Sequence, residues 1–465
     1  MTKDEQTKIE KTVELQKKYF LTGQTRDVSF RKEALKKVLV WIKNNQQIVE
    51  DALLHDLNKT AFEAFVTEIG MVTEEIKTIL PKIAKYSKTQ KVKSVISQFP
   101  SKNYIMNEPY GIVLIMSPWN YPFQLSLLPL VDAIAAGNCV ILKPSNYAAA
   151  VSNVLVKLVE ACFPPEYVSI FLGGHEVNSC LLEQKLDYIF FTGSPKVGKI
   201  VMEAAAKNLT PISLELGGKS PCIVENSADI DLSAKRIIWG KGLNAGQTCV
   251  APDYVLVQKE KYTEFVESCK KWIKCFWGEH SEKNSQFPKI ISDRHFERLQ
   301  NLVKGASFGG SCIPETRSIE FSLFIDNLEK PCLLKSALME EEIFGPILPI
   351  IPFESIAEAK EIVLSKSKPL ALYLFTKSAD VEKDILSGIS FGGGCVNDTI
   401  IHLSNPNLPF GGVGNSGMGR YHGKYGFETF SHKKSILKKS CLIDLSFRYP
   451  PYTEKNLKTT KHFLG

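Results

Sequence analysis

Cys249 closes the run Gly242-Leu243-Asn244-Ala245-Gly246-Gln247-Thr248-Cys249, and Glu215 lies upstream in Leu214-Glu215-Leu216-Gly217-Gly218-Lys219. A thiol in a loop of small residues and a carboxylate at the end of an apolar run are the parts needed for covalent chemistry on a carbonyl. The thiolate attacks, nearby donors hold the developing oxyanion, and the carboxylate acts as a base. Most of the 11 cysteines should be structural, because free cysteine packs like a small apolar residue. Gly246 and Ala245 set Cys249 apart by leaving room for a substrate. Glu215 taken alone reads equally well as a paired or capping carboxylate.

A second cluster is Met116-Ser117-Pro118-Trp119-Asn120-Tyr121-Pro122-Phe123, following an apolar run. The Asn120 amide can donate to a carbonyl oxygen that becomes negative on thiolate attack, or it can cap the next helix. Trp119, Tyr121 and Phe123 suit an apolar channel or simply a core. A third run, Phe191-Thr192-Gly193-Ser194-Pro195-Lys196-Val197-Gly198-Lys199, sits between a strand pattern and a helix pattern, the context of a phosphate loop. Gly193, Gly198 and Lys199 match GxxxxGK, but Ile200 stands where a magnesium-binding Ser or Thr is needed, so nucleotide hydrolysis is excluded. The GxGxxG spacing is also missing, and this loop alone could be an ordinary turn.

These residues need a scaffold, and the chain of 465 residues is long enough for two or three domains. Leu35, Val38, Leu39 and Ile42, then Phe62, Phe65, Ile69, Val72, Ile76 and Ile79, recur at helical spacing and predict two amphipathic covering helices. From Gly111 short apolar runs alternate with helical stretches: Ile112 to Met116, Val140 to Leu142, Val168 to Leu172, Tyr188 to Phe191 and Cys222 to Val224. Tyr254 to Val257, Ile347 to Ile351 and Leu370 to Phe375 continue the alternation after Cys249. The pattern predicts an α/β fold with buried parallel sheets. Residues 278–317 have weak periodicity and carry no assignment.

Hydrophobic content of 44% with 23% charged residues excludes a disordered or low-complexity chain. The net charge is +7, partly from Lys433, Lys434, Lys438, Lys439, Arg448, Lys455, Lys458 and Lys461. This end reads as a solvated tail, with at most a peripheral contact to an anionic membrane surface. No interleaving of basic and aromatic residues points to nucleic acid. The N-terminus lacks a signal-peptide pattern, no apolar run reaches membrane-span length, and the cysteines show no CxxC pair. The expectation is a cytoplasmic protein without disulfides, structural zinc or other metal.

Taken together, Pro118-Trp119-Asn120-Tyr121-Pro122, Leu142-Lys143-Pro144-Ser145, Phe191-Thr192-Gly193-Ser194, Leu214 to Pro221, Gly246-Gln247-Thr248-Cys249, Glu342-Ile343-Phe344-Gly345-Pro346 and Pro409-Phe410-Gly411-Gly412 occur in the order found in the aldehyde dehydrogenase superfamily. The chain resembles its class 3 and fatty aldehyde branch over nearly its whole length. Gly198 to Lys207 and Ser416-Gly417-Met418-Gly419 with Tyr421-His422-Gly423-Lys424 carry the branch resemblance. It implies two parallel-sheet Rossmann-like α/β domains with a small bridging β-segment. Residues 1–83 and 107–217 would bind NAD(P), 218–398 would form the catalytic domain, 84–106 and 399–436 the oligomerisation segment, and 437–465 the basic tail.

The same resemblance implies oxidation of aldehydes, of medium or long aliphatic or aromatic type, to carboxylic acids. Cys249 would form a thiohemiacetal and then a thioester, Asn120 and the Cys249 N–H would hold the oxyanion, and Glu215 would activate the hydrolytic water. Lys143, Gly193, Ser194, Gly198, Glu342, Phe344, Trp119 and Asn146 would line the NAD or NADP site. Asn146 departs from the family pattern, which usually has a glutamate three residues after the lysine. Without that carboxylate a 2′-phosphate is tolerated, so the expectation is use of NADP as well as NAD. A homodimer is expected by the same analogy. Competing readings are a thioester hydrolase or coenzyme A acylating enzyme using the same thiol, and a non-catalytic protein on the same scaffold.

Overall fold

The alternating runs fold into two parallel sheets. In the computed structural model, which describes residues 1–464, the first sheet contains Ile112–Met116, Cys139–Lys143, Val168–Ile170, Tyr188–Gly193 and Ile212–Leu216. These strands are parallel, and Gly417–Met418 adds an antiparallel edge beside Leu214 and Glu215. The strands Ile112–Met116 and Cys139–Lys143 are buried at every residue. That explains continuous apolar runs in place of alternation. Ile112–Met116 pairs with Cys139–Lys143 on one side and Tyr188–Gly193 on the other. The connections diverge at this strand, and such a switch point opens a crevice at the carboxyl ends of the strands. The loops carrying Asn120, Lys143 and Ser194 all leave from that end.

The second sheet runs in the order Ser322–Ile325, Ile347–Phe353, Tyr254–Gln258, Pro221–Val224, Ala371–Phe375 and Gly393–Val396, all parallel. Ile347–Phe353 extends past the expected Ile351 even though it contains Pro349 and Pro352. Its pairing with Ser322–Ile325 ends at Ile350, where its pairing with Tyr254–Gln258 begins. Each proline therefore has one side on which no ladder bond is required. Ser322–Ile325 and Gly393–Val396, neither of them evident from periodicity, form the two edges.

A third, antiparallel sheet joins Gln90–Val92, Ser101–Pro109 and Ser431–Lys439. Its long strands reach Pro109 and Lys439, beyond the limits 106 and 436 read from the sequence. In the stretch left unassigned, Asp293–Leu302 is a helix, capped by Ser292.

The helix Val28–Asn44 buries Leu35, Val38 and Ile42 as its spacing predicts. The second covering helix differs. Phe62 and Phe65 are exposed, at 78% and 44%, because a π-turn at Phe65–Ile69 interrupts the α-helical register. The extra residue per turn rotates the preceding face outward. It also brings a charged residue, Glu68, to a buried position.

Candidate active site

The thiol is presented by a strained turn. Asn244 and Ala245 both have φ of 51° and Gly246 has φ of 71°, the left-handed region that L-residues seldom occupy. Only glycine fits at 246, since a Cβ there would lie 2.3 Å from the Gly345 oxygen. Asn244 Nδ2 donates to the Asn120 oxygen at 2.8 Å and to the Gln247 oxygen at 3.1 Å, while Gln247 Nε2 donates to Lys289 O at 3.0 Å. Cys249 is partly buried. Burial pushes its thiol up to about 12, with the Glu342 and Glu215 charges adding to the shift, while the backbone N–H groups of Cys249 and Val250 act in the opposite sense. Those N–H groups therefore face the sulfur, where they can stabilise an anion.

Glu215 lies on the strand Ile212–Leu216, 3% exposed. Neither carboxylate oxygen has a hydrogen-bond partner, and burial alone raises its pKa well above the usual value. Such a carboxylate is a strong base once ionised. Tyr421 is buried as well, and that burial, with the Glu215 and Cys249 charges adding to it, pushes its hydroxyl well above the usual value. Asn120 is buried and its Nδ2 donates to Gln247 O at 3.0 Å, which sets the amide against the loop that carries the thiol.

At the crevice, Lys143 ends its strand, is buried, and is held down to about 8 by that burial. Its ammonium donates to the neighbouring Pro144 oxygen at 2.8 Å. Asn146 is exposed on the following loop. Ser194 caps the helix Pro195–Ala206 with Pro195 at its first turn, leaving backbone N–H groups and the positive end of the helix dipole facing the crevice. Gly193 precedes this cap, and Gly198 faces the strand below, where a Cβ would lie 2.8 Å from Leu216 Cδ2. Gly198 thus seats the helix close to the strand that bears Glu215.

Glu342 accepts from the Gly218 N–H, and burial with the Asp253 charge raises its pKa to about 8. Its loop is clamped on both sides. Lys219 Nζ donates to Asp253 Oδ2 at 2.5 Å, Leu338 O at 2.7 Å and Glu341 O at 2.9 Å. Asp253 Oδ1 accepts from Ile343 N at 2.9 Å. Phe344, with φ of 51°, sets its ring edge-on to Trp119 at 5.4 Å, and Trp119 packs on His295 at 4.9 Å. An aromatic row thus links the loop after the strand Ile112–Met116, the helix Asp293–Leu302 and the loop before the strand Ile347–Phe353. A buried ammonium at a sheet switch point, a capped helix start and an acidic side chain beside a glycine pair fit a dinucleotide across the crevice.

Sequence reasoning missed Lys59 and Glu68, both fully buried and 2.6 Å apart, together with Glu63, whose carboxylate accepts from Asn244 N at 2.7 Å. Asp253 and His295 were missed as well. None of these lies in a motif. The π-turn that buries Glu68 has no sequence signature, and an isolated lysine after a helix reads as surface.

The decisive comparison is with a family model for the aldehyde dehydrogenase family, which matches residues 1–436. The chain belongs to the aldehyde dehydrogenase family. Among similar proteins, the 4,4'-diaponeurosporen-aldehyde dehydrogenase of Staphylococcus aureus is 45% identical over 443 residues, covering 94% of this chain and 95% of that protein. The "aldehyde dehydrogenase, dimeric NADP-preferring" of Rattus norvegicus is 41% identical, with 96% and 98% covered. Family 3 member B1 of Mus musculus is 43% identical, with 94% of each covered. The solved substrate-bound state of Staphylococcus aureus AldH superposes with a TM-score of 0.95 at 44% identity, covering 98% of this chain and 99% of that one. This aldehyde dehydrogenase, of the family 3 type, oxidises aldehydes to carboxylic acids with NAD(P). The two-sheet α/β fold is that of its solved relatives.

Proposed function

We propose that Cys249 is the nucleophile, Glu215 the hydrolytic base and Asn120 an oxyanion donor, acting on medium or long aliphatic or aromatic aldehydes. The observation that carries this reading is the shared burial of the Cys249 thiol and the unpartnered Glu215 carboxylate within each other's field. The sulfur adds to the aldehyde carbon, and the Asn120 amide with the Cys249 N–H stabilises the oxyanion of the thiohemiacetal. When bound, NAD(P) supplies the hydride acceptor that makes this an oxidation. The resulting thioester is cleaved by water from which Glu215 removes a proton. A general base is needed there, since an acyl-enzyme without one persists, and retention of Glu215 therefore favours hydrolysis over transfer to coenzyme A.

Lys143, Ser194, Gly193, Glu342, Phe344 and Trp119 would hold the dinucleotide, and neutral Asn146 supports dual use of NAD and NADP. The Rattus relative's NADP-preferring name is consistent with this. The Staphylococcus relative's name makes 4,4'-diaponeurosporen-aldehyde one substrate to test. We assign the antiparallel sheet of Gln90–Val92, Ser101–Pro109 and Ser431–Lys439 to dimer formation, the tail to at most peripheral membrane contact, and the enzyme to the cytoplasm. No described helix is long and apolar enough to cross a membrane.

The test is absorbance at 340 nm with a series of aldehydes and either cofactor. Wild type should turn over, Cys249→Ser should yield no reduced cofactor, and Glu215→Gln should give at most one burst per site. Sustained turnover by Cys249→Ser would overturn the assignment.

A further inference from the structure

We propose that His280, Glu282 and Glu320 form a site for one divalent cation of the zinc class, outside the catalytic crevice. The site would join the turn after the helix Tyr262–Trp277 to the start of the strand Ser322–Ile325. The donor atoms of the three side chains all lie within 4.8 Å of one another. His280 Nδ1 is 3.5 Å from Glu282 Oε1 and 3.9 Å from Glu320 Oε1. A cation bound at about 2.0–2.2 Å from each nitrogen or oxygen donor requires donors roughly 3–4.4 Å apart, a range that both His280 distances meet.

A second observation is independent of that spacing. Glu282 and Glu320 are 6% and 7% exposed, and Glu282 Oε2 is buried with no hydrogen-bond partner. Glu320 Oε2 is satisfied by the Ser311 N–H at 3.0 Å. Among the described residues, neither carboxylate has a Lys or Arg within ion-pair distance; only His280 reaches them. Two neighbouring buried carboxylates are costly without a compensating positive charge. The His280 side chain, 59% exposed, leaves an open side for entry and for water ligands.

The scaffold is already ordered. Ser281, between two of the ligands, accepts from Phe321 N at 2.8 Å, next to the third ligand. One imidazole with two carboxylates favours zinc or manganese over the all-oxygen cages of calcium. The expectation of no metal rested on the cysteines, and these ligands involve none. Trp277, which stacks on Phe321 at 5.5 Å, presses its ring against Gly242. The cation would therefore brace the wall from which the Cys249 loop departs.

The experiment is calorimetric titration of chelator-stripped full-length protein with Zn²⁺, for wild type, His280→Ala and Glu282→Gln. Mn²⁺, which thiols bind weakly, is titrated in parallel, because Cys249 and the exposed Cys275, Cys332 and Cys441 can take up zinc in all three proteins. Wild type should bind one more ion per chain than either variant, or bind it at least tenfold more tightly, with both ions. Retention of that site at wild-type affinity by either folded variant overturns the proposal. His280→Ala alters an exposed side chain, so it decides the question even if Glu282→Gln fails to fold.

Discussion

Lys59 Nζ donates to the main-chain oxygen of Asn120 at 3.0 Å while its charge is met by Glu68 at 2.6 Å. Glu68 Oε2 in turn accepts from the N–H groups of Phe123 and Gln124 at 2.9 and 3.1 Å. One buried ion pair thus holds the loop at Asn120 and again where it enters the next helix. Lys59→Met leaves Glu68 buried and unpaired, so it should lose about 3–5 kcal/mol of stability and lower kcat. Lys59→Met with Glu68→Leu should recover much of the stability but not kcat. Urea denaturation and steady-state kinetics check both; a double variant with wild-type kcat would count against a positioning role.

The pH dependence of Glu215 has a definite sign. Its folded pKa is raised above the usual 4.5. The stability this proton contributes is present below that value and is lost as pH rises through the folded pKa. The melting temperature of wild type minus that of Glu215→Gln should therefore become more negative from pH 5 upward. Thioester hydrolysis should accelerate over the same rise, because only the ionised form is a base. A flat difference curve would contradict the burial argument.

His402 and His422 have the opposite sign. Burial lowers both to about 4, so the unfolded chain takes up these protons first on acidification. The stability they hold is present above about 6.5 and is lost as pH falls toward 4. Wild type should lose melting temperature over that interval more steeply than His402→Gln. Equal slopes would refute this.

On the proposed cofactor assignment, Asn146→Glu puts a carboxylate beside the 2′-phosphate of NADP. Selectivity for NADP over NAD should fall about ten- to hundredfold, or about 1.4–2.7 kcal/mol. The ratio of kcat/KM for the two cofactors measures it, and an unchanged ratio would remove Asn146 from the cofactor site.

Asp253→Asn weakens the clamp by which Lys219 and Ile343 N hold the Glu342 loop. KM for the cofactor should rise several-fold, with the rate of Cys249 alkylation nearly unchanged. A large drop in alkylation would show that the clamp serves the thiol loop instead.

The chemistry was more legible in the sequence than its support. Cys249 and Asn120 sit in runs whose small and aromatic residues announce a loop, Glu215 ends an apolar run that a glycine pair follows, and the buried parallel strands announce themselves as continuous apolar runs. Lys59, Glu68 and Asp253 gave no such signal, because a buried ion pair depends on partners distant in sequence. Phe62 and Phe65 misled for a local reason: helical spacing assumes a constant turn, and the π-turn breaks it. Pro349 and Pro352 similarly concealed the end of a strand that tolerates them only where the two neighbouring ladders change over.

Gly417 and Met418 pair with Glu215 and Leu214, and Gly417, at φ of 140°, is pressed so close that a Cβ would lie 2.1 Å from Leu214 O. The strand holding the base is therefore closed by residues made some two hundred positions after it. Without Gly417 and Met418 the chain would have its thiol but would leave Glu215 on an open sheet edge. The loop that bears the thiol and the edge that covers the base are therefore supplied by separate stretches of chain, the second made well after the first.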